Sequence, residues 1–488
     1  MRCISCTPPA DEHHRPHAVV RFPNTDHEGA AVTDHYDDYL DAGQSRFIDE
    51  LSAFLSIPSV SSDPQRIDDV FAAAHWVCAR LSSAGVPEAR VLRAGHYPMV
   101  YGAWLGAPGA PTVLIYGHFD VQPAEGQPGW LGAPFEPAIR DGRIYARGAT
   151  DDKGNMLAPI VAIETLLRCD GRLPVNVKFL FEGEEEILSP DLPAFIEAHR
   201  ELLACDCVLS ADGWQWSESE ADLRLSLRGV CALDVKVTGS CRDLHSGSYG
   251  GAVANPVRGL VSILGSLHDA DGRIAVPGFL DAVREFSANE RARLARIPLD
   301  DAAFRNRAGV PEVAGEAGYS TLERIGMRPT IEINGIVGGH TGEGVRTIIP
   351  ASAQAKLTCR LVPDQEPETI AHLLKTHIEA QSLPGLAVSA EILPNAASPY
   401  AIDYDHPVNL AAREVLYELY GREPYYTRSG GSIPILALFQ RVLGVSTVIF
   451  GFGLPDENMH GPNEYLRLSG FRLGQRAYVD VLRRIQKA

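Results

Sequence analysis

Three short runs with strand character each lead straight into residues that can bind a metal or move a proton. Val113-Leu114-Ile115-Tyr116 is wholly apolar and is followed by Gly117-His118-Phe119-Asp120. Val175 to Phe181 runs into Glu182-Gly183-Glu184-Glu185-Glu186, and Val208-Leu209-Ser210 runs into Ala211-Asp212-Gly213. A short, wholly apolar run suits a strand covered on both faces, as in a parallel sheet flanked by helices. Helical patterns lie between such runs, which argues for an α/β fold with crossover connections and a mostly parallel central sheet. Ligands of open α/β sheets bind beyond the carboxyl ends of the strands. The three polar endings therefore predict one shared site.

The 488-residue chain is long enough for about two to three domains. Residues 1–38 are rich in Pro, His and Asp and show no periodicity, so they read as a flexible extension. Cys3 and Cys6 form a C-x-x-C there, near His13, His14 and His17, but no second pair follows at zinc-ribbon spacing. Phe47, Ile48, Leu51, Phe54 and Leu55 mark one face of a helix that ends before Pro58, and Ala72 to Leu81 gives a second. Beyond Leu223 the texture changes. Arg228 to Thr238, Ala355 to Val362 and Ala387 to Leu393 read as strands and Pro256 to Leu267 as a helix, before polar motifs return near the C-terminus. This pattern predicts an α+β domain over 226–398 inserted into a domain made of 39–225 and 399–488. The stretch 270–325 is charged and irregular, and its pattern assigns no element.

Charge narrows the partners. With 44 Lys+Arg against 62 Asp+Glu, the net charge is 44 − 62 = −18, which argues against nucleic-acid and anionic-membrane partners, both of which need a basic patch. No run of about 18 apolar residues exists to span a membrane, and the first twenty residues lack the apolar core of a signal peptide. Nine scattered cysteines are usage expected of free thiols in a reducing compartment, with the cytoplasm the default.

In His118-Phe119-Asp120 the His and Asp share one side of an extended backbone, so the carboxylate could hold the imidazole by its second nitrogen. Alone, such a pair is a turn with a satisfied histidine; the strand-end position and the partners shift the balance. Ala149-Thr150-Asp151-Asp152-Lys153-Gly154-Asn155 precedes a helical run from Met156 to Leu167. Its acids could simply favour a helix N-terminus, or bridge two ions. Glu184-Glu185-Glu186 could be a solvated acidic loop, or supply one ligand and a neighbouring general base. Asp212 and His460 carry no signal singly. Together, His118, Asp151, Glu186, Asp212 and His460 supply two imidazoles and three carboxylates. If Asp151 bridges, one ion takes His118, Asp151 and Asp212, and the other His460, Asp151 and Glu186. That N/O set suits Zn²⁺ or Mn²⁺, and the absence of cysteine argues against a structural zinc site.

The segments Gly117-His118-Phe119-Asp120-Val121-Gln122-Pro123, Arg147 to Gly154 and Glu182 to Glu186 resemble the dinuclear zinc exopeptidases. That group includes carnosinase-type dipeptidases, aminoacylases, glutamate carboxypeptidases and succinyl-diaminopimelate desuccinylase. The likeness runs from Leu55-Ser56-Ile57-Pro58-Ser59-Val60 to Asn463-Glu464. It implies two divalent ions per subunit, Glu185 as general base, Glu186 as ligand, Asp120 holding His118, and a cis peptide after Asp151. It further implies that the inserted domain is a lid and dimerisation domain. His245, in Asp243-Leu244-His245-Ser246-Gly247, would then reach across a homodimer interface to the oxyanion of the partner's substrate; taken alone it is a surface histidine. Thr347, Arg360 and Ser432 match positions that contact the substrate's carboxylate end.

Two departures stand out. Leu188 replaces a usual glycine, and Asn395 falls where carnosine-cleaving relatives carry a histidine, which argues against carnosine. The reading is metal-dependent hydrolysis of a dipeptide or similar short amide. Its alternatives are an N-acyl-amino-acid amidohydrolase on the same metals and a catalytically silent binding protein. A nicotinamide-binding fold lacks its G-x-G-x-x-G.

Overall fold

The computed structural model describes residues 34–394 and 396–485. Most of the predicted N-terminal extension, with Cys3 and Cys6, and the comparison at Asn395 lie outside the described residues.

The central sheet has six strands in the order Arg90–Ala94, Tyr97–Trp104, Asn176–Glu182, Thr112–His118, Cys207–Ser210 and Thr447–Ile449. The last four pair in parallel, and an antiparallel hairpin completes one edge. Strands Thr112–His118 and Asn176–Glu182 are buried at every position but the first, and Cys207–Ser210 throughout. This is why their sequences are runs of Val, Leu, Ile and Phe rather than alternations. Helix Gly154–Asp170 is buried over most of its length and packs against helices His35–Leu55 and Leu468–Ile485. The first of these begins at His35, inside the stretch expected to be extension: Tyr36 and Leu40 are buried in the core, and burial decides order there.

A second sheet is wholly antiparallel, in the order Thr330–Gly338, Ser352–Leu361, Gly229–Thr238 and Ala387–Ile392. Helices Pro256–Gly265 and Pro367–Glu379 cover one face. Leu233, Val235, Val237, Leu260, Ile263, Leu357, Leu374 and Ile378 form a core there, separate from that of the central sheet. Gly229–Thr238 alternates buried and half-buried side chains, as a strand covered on one face should.

Within 270–325 the chain does form helices, Ala288–Leu294, Asp301–Ala308 and Thr321–Met327. Two of them open on reciprocal capping boxes, Ser287 with Glu290 and Ser320 with Glu323. Leu294, Ile297 and Met327 pack with Trp216, Phe286 and Tyr425 into a small third cluster. Helices this short show too few turns for periodicity, so only their caps were readable.

Candidate active site

The parallel strands deliver their polar endings to one side of the central sheet. His118 closes its strand, Glu185 and Glu186 start a short 3-10 turn just beyond Glu182, and Asp212 lies just past Ser210. Asp151 comes from the turn that leads into helix Gly154–Asp170, and the peptide joining it to Asp152 is cis. Tight backbone passage is required here: a Cβ on Gly117 would stand 2.7 Å from Oδ2 of Asp152.

Two donor groups share one carboxylate. Ligand atoms of His118, Asp151 and Asp212 lie within 4.8 Å of one another, and so do those of Asp151, Glu186 and His460. The oxygens of Asp151 diverge, Oδ1 standing 3.1 Å from His118 Nε2 and Oδ2 2.9 Å from His460 Nε2. Glu186 Oε2 is 3.3 Å from the same His460 nitrogen. An ion with bonds of about 2.0–2.1 Å spaces tetrahedral donors about 3.3 Å apart, so this set fits two divalent cations bridged by Asp151. His460 adopts a left-handed backbone at φ 59, a conformation uncommon for a residue with a Cβ but one that histidine tolerates better than most.

The electrostatics agree. Burial raises the carboxyl of Asp212 to about 6 and pushes that of Glu185 well up, with neighbouring carboxylates adding to both. Burial would depress His118, but hydrogen bonds to Asp120 and Asp151 carry it well above its ordinary value. Hydrogen bonds to Asp151 and Glu186 lift His460 to about 10. Burial would raise Asp151, yet the two imidazoles hold it low. A pocket of acids that resist ionising together is one that divalent cations would relieve.

Other side chains hold this arrangement in place. The Asp120 carboxylate accepts the backbone N–H of Glu185 at 3.2 Å and of Glu186 at 3.1 Å. His118 Nδ1 lies 3.1 Å from the Asp120 carbonyl oxygen and 3.5 Å from its carboxylate. Glu464, fully buried, accepts from the backbone N–H groups of Gly148, Thr150 and Asp151 and from Arg147 Nη1 at 2.8 Å. Arg147 also donates to the His460 carbonyl. Gln122 donates to Glu186 Oε2 at 2.7 Å. Asn155 donates to the Thr150 carbonyl and accepts from Phe452 N–H, tying two loops together. Sequence reasoning missed Arg147, Glu464, Gln122 and Asn155 as positioning groups. Each lies four residues from a proposed ligand, Gln122 from His118, Arg147 and Asn155 from Asp151 and Glu464 from His460, and that nearness was a signal available in the sequence.

The remaining predicted residues form two further groups. His245 and Thr347 lie together where Leu244–His245 pairs with Ile348–Ile349, and Ser246 N–H donates to the Thr347 carbonyl. His245 is exposed, and its Nδ1 accepts from Gly247 N–H at 3.1 Å, which leaves Nε2 to carry the proton outward. Arg360 Nη1 donates to Ser432 Oγ at 3.1 Å. Among the described residues neither group has a hydrogen bond or ion pair to the five candidate ligands. Leu188 sits at φ 71 directly after the Glu185–Glu186 turn, a conformation in which glycine is unstrained.

Similarity to known proteins follows the same elements. The chain is 33% identical over 449 residues to the Cys-Gly metallodipeptidase dug1 of Schizosaccharomyces pombe, covering 89% of this chain and 94% of that protein. It is 30% identical over 471 residues to the Beta-Ala-His dipeptidase of Rattus norvegicus, covering 92% and 94%. Superposed on the M20 family metallo-carboxypeptidase Sso-CP2 of Sulfolobus solfataricus it gives a TM-score of 0.77 at 32% identity, over 91% of this chain and 99% of the other. The family model for Peptidase family M20/M25/M40 matches residues 114–484, a span that takes in every candidate ligand, and the chain belongs to that family.

Proposed function

We propose that this protein is a dinuclear metallopeptidase that hydrolyses dipeptides or similarly short amides bearing a free carboxylate. The observation that carries this reading is the pair of donor groups sharing Asp151, with Glu185 beside them. His118, Asp151 and Asp212 would hold one ion, and His460, Asp151 and Glu186 the other; Zn²⁺ suits the N/O donors and Mn²⁺ is the second choice. When bound, the ions supply Lewis-acid activation of water and of the scissile carbonyl. Glu185, made more basic by burial, takes the proton of the attacking water and returns it to the leaving amine. Asp120 fixes Glu185 and Glu186 through their backbone N–H groups, keeping base and ligand in register.

Two separate cores support a catalytic domain that starts at His35, four residues before the expected 39, and runs over 35–227 and 399–488, with a lid and dimerisation domain between. The exposure of His245, whose Nε2 is left to donate, supports a homodimer in which it serves the partner's site as an oxyanion donor. Thr347, Arg360 and Ser432 would contact the substrate's carboxylate end. Among the described residues the cysteines are free, which supports a reducing, cytoplasmic setting, and no helix is long and apolar enough to cross a membrane. The names of the relatives favour dipeptides over N-acyl amino acids. The test is a hydrolysis screen of dipeptides and N-acyl amino acids with Zn²⁺ and with Mn²⁺, read by product mass. Two amino acids per turnover support the proposal; an amino acid plus an organic acid replaces it with the amidohydrolase reading.

A further inference from the structure

Among the described residues the buried arginines are matched to carboxylates. Arg147 has Glu464 at 2.8 Å, Arg224 has Asp222 at 2.9 Å, Arg328 has Glu316 at 2.7 Å and Arg428 has Glu290 at 3.2 Å. The pattern is expected, since an unpaired buried charge is costly. Arg228 and Arg360 are less deeply buried, stand side by side and lack such a partner. Both are half-buried, and among the described residues neither has a carboxylate within ion-pair distance. Arg228 spends Nε on the Gly430 carbonyl at 3.3 Å and Nη1 on the Arg328 carbonyl at 3.4 Å. Arg360 spends Nη1 on Ser432 Oγ, and Ser432 in turn donates to the Arg228 carbonyl.

These two guanidiniums are neighbours, and they repel. Burial first, and then the charge of Arg360, lower Arg228 to about 10, against a smaller opposing pull from Glu332. Two like charges whose hydrogen bonds go to neutral partners, with Glu332 acting on Arg228 only from beyond ion-pair distance, form a site that an anion would stabilise. The free edge of Arg228 is kept clear by sequence as well: a Cβ on Gly430 would stand 2.7 Å from its Nη2. Arg228 also lies where the chain passes from strand Asp222–Leu227, in the first core, to strand Gly229–Thr238, in the second. An anion bound here would be gripped from both.

We propose that Arg228 is a second guanidinium of the subsite for the substrate's free carboxylate, beside Arg360 and Ser432, and so determines specificity for that end of the substrate. The inference rests on the proposed peptidase reading for its substrate class. Its test is therefore a binding measurement that needs no turnover.

Leucine and leucinamide differ only in the carboxylate and its neutral replacement. Titration calorimetry of each into the metal-loaded, full-length protein should show a preference for leucine of about 10- to 100-fold, the range of a charge-assisted hydrogen-bonded pair. In Arg228→Gln most of that preference should disappear, and Arg228→Lys, which keeps the charge but loses the planar fork, should fall between. Hydrolysis adds a second readout: the ratio of KM for a dipeptide amide to KM for the free dipeptide should shrink in Arg228→Gln. A merely structural role would weaken leucine and leucinamide alike and leave their ratio intact, and that result overturns the proposal. Should the variants fail to fold, phenylglyoxal labelling of the unmodified protein replaces them. Leucine, but not leucinamide, should then protect Arg228, and equal labelling with both ligands overturns the inference. If leucine binds through Arg228 while no dipeptide is cleaved, the peptidase reading fails and the subsite stands.

Discussion

Glu185 and Glu186 are adjacent and chemically identical, yet their surroundings separate their work. Glu186 is tied to Gln122 and His460, whereas Glu185 has a carboxyl raised by burial and, among the described residues, no hydrogen bond given to it. Glu185→Gln should retain two metals per chain by elemental analysis and lose at least about 10²- to 10⁴-fold in kcat, the usual contribution of a general base. Glu464 works through others, because its carboxylate organises three backbone N–H groups of the Asp151 turn and neutralises Arg147. Glu464→Gln strands a buried guanidinium, and breaking such a pair costs about 3–5 kcal/mol. Urea unfolding should show the loss, with faster stripping of metal by a chelator. In the metal-free chain hydrogen bonds to Asp120 and Asp151 raise the pKa of His118, and those to Asp151 and Glu186 raise His460 to about 10. Metal binds only neutral imidazole. Uptake at pH 7 should thus expel protons, and affinity should fall as pH drops from 8 to 5. Calorimetry in buffers of different ionisation enthalpy reads the proton count.

Among the elements, those that bury both faces or a long helical stripe were legible from sequence, because their periodicity is local. Thr112–His118, Asn176–Glu182 and Cys207–Ser210 announce themselves as apolar runs, and helix Gly154–Asp170 extends the run seen from Met156. The helices Ala288–Leu294 and Thr321–Met327 did not, since each spans about two turns. Their existence is written instead in Ser287-Ala288-Asn289-Glu290 and Ser320-Thr321-Leu322-Glu323, where each serine accepts from the glutamate N–H. Ser320→Ala should cost about 1 kcal/mol of stability, measured by the shift of the urea midpoint, and should leave catalytic constants unchanged.

At the scale of the whole molecule, the proposed dimer makes a prediction that no single subunit can satisfy. Glu185→Gln would leave a chain with a dead site and an intact His245, and His245→Ala one with an intact Glu185 and no oxyanion donor. Unfolded together and refolded, the two inactive chains should form mixed dimers with one complete site each, and regain about a quarter of wild-type activity at equal mixing if pairing is random. Activity that never recovers would confine His245 to its own subunit or remove it from the reaction. The sequence alone determined the kind of chemistry and the kind of sheet, because residue types and hydrophobic periods act over a few neighbours. Tertiary structure decided which residues meet: Asp151 stands between His118 and His460, Glu464 folds back onto Gly148 to Asp151, and Arg228 is left without a carboxylate at ion-pair distance among the described residues. Pairings across such separations depend on how whole elements pack, and no local pattern carries that information.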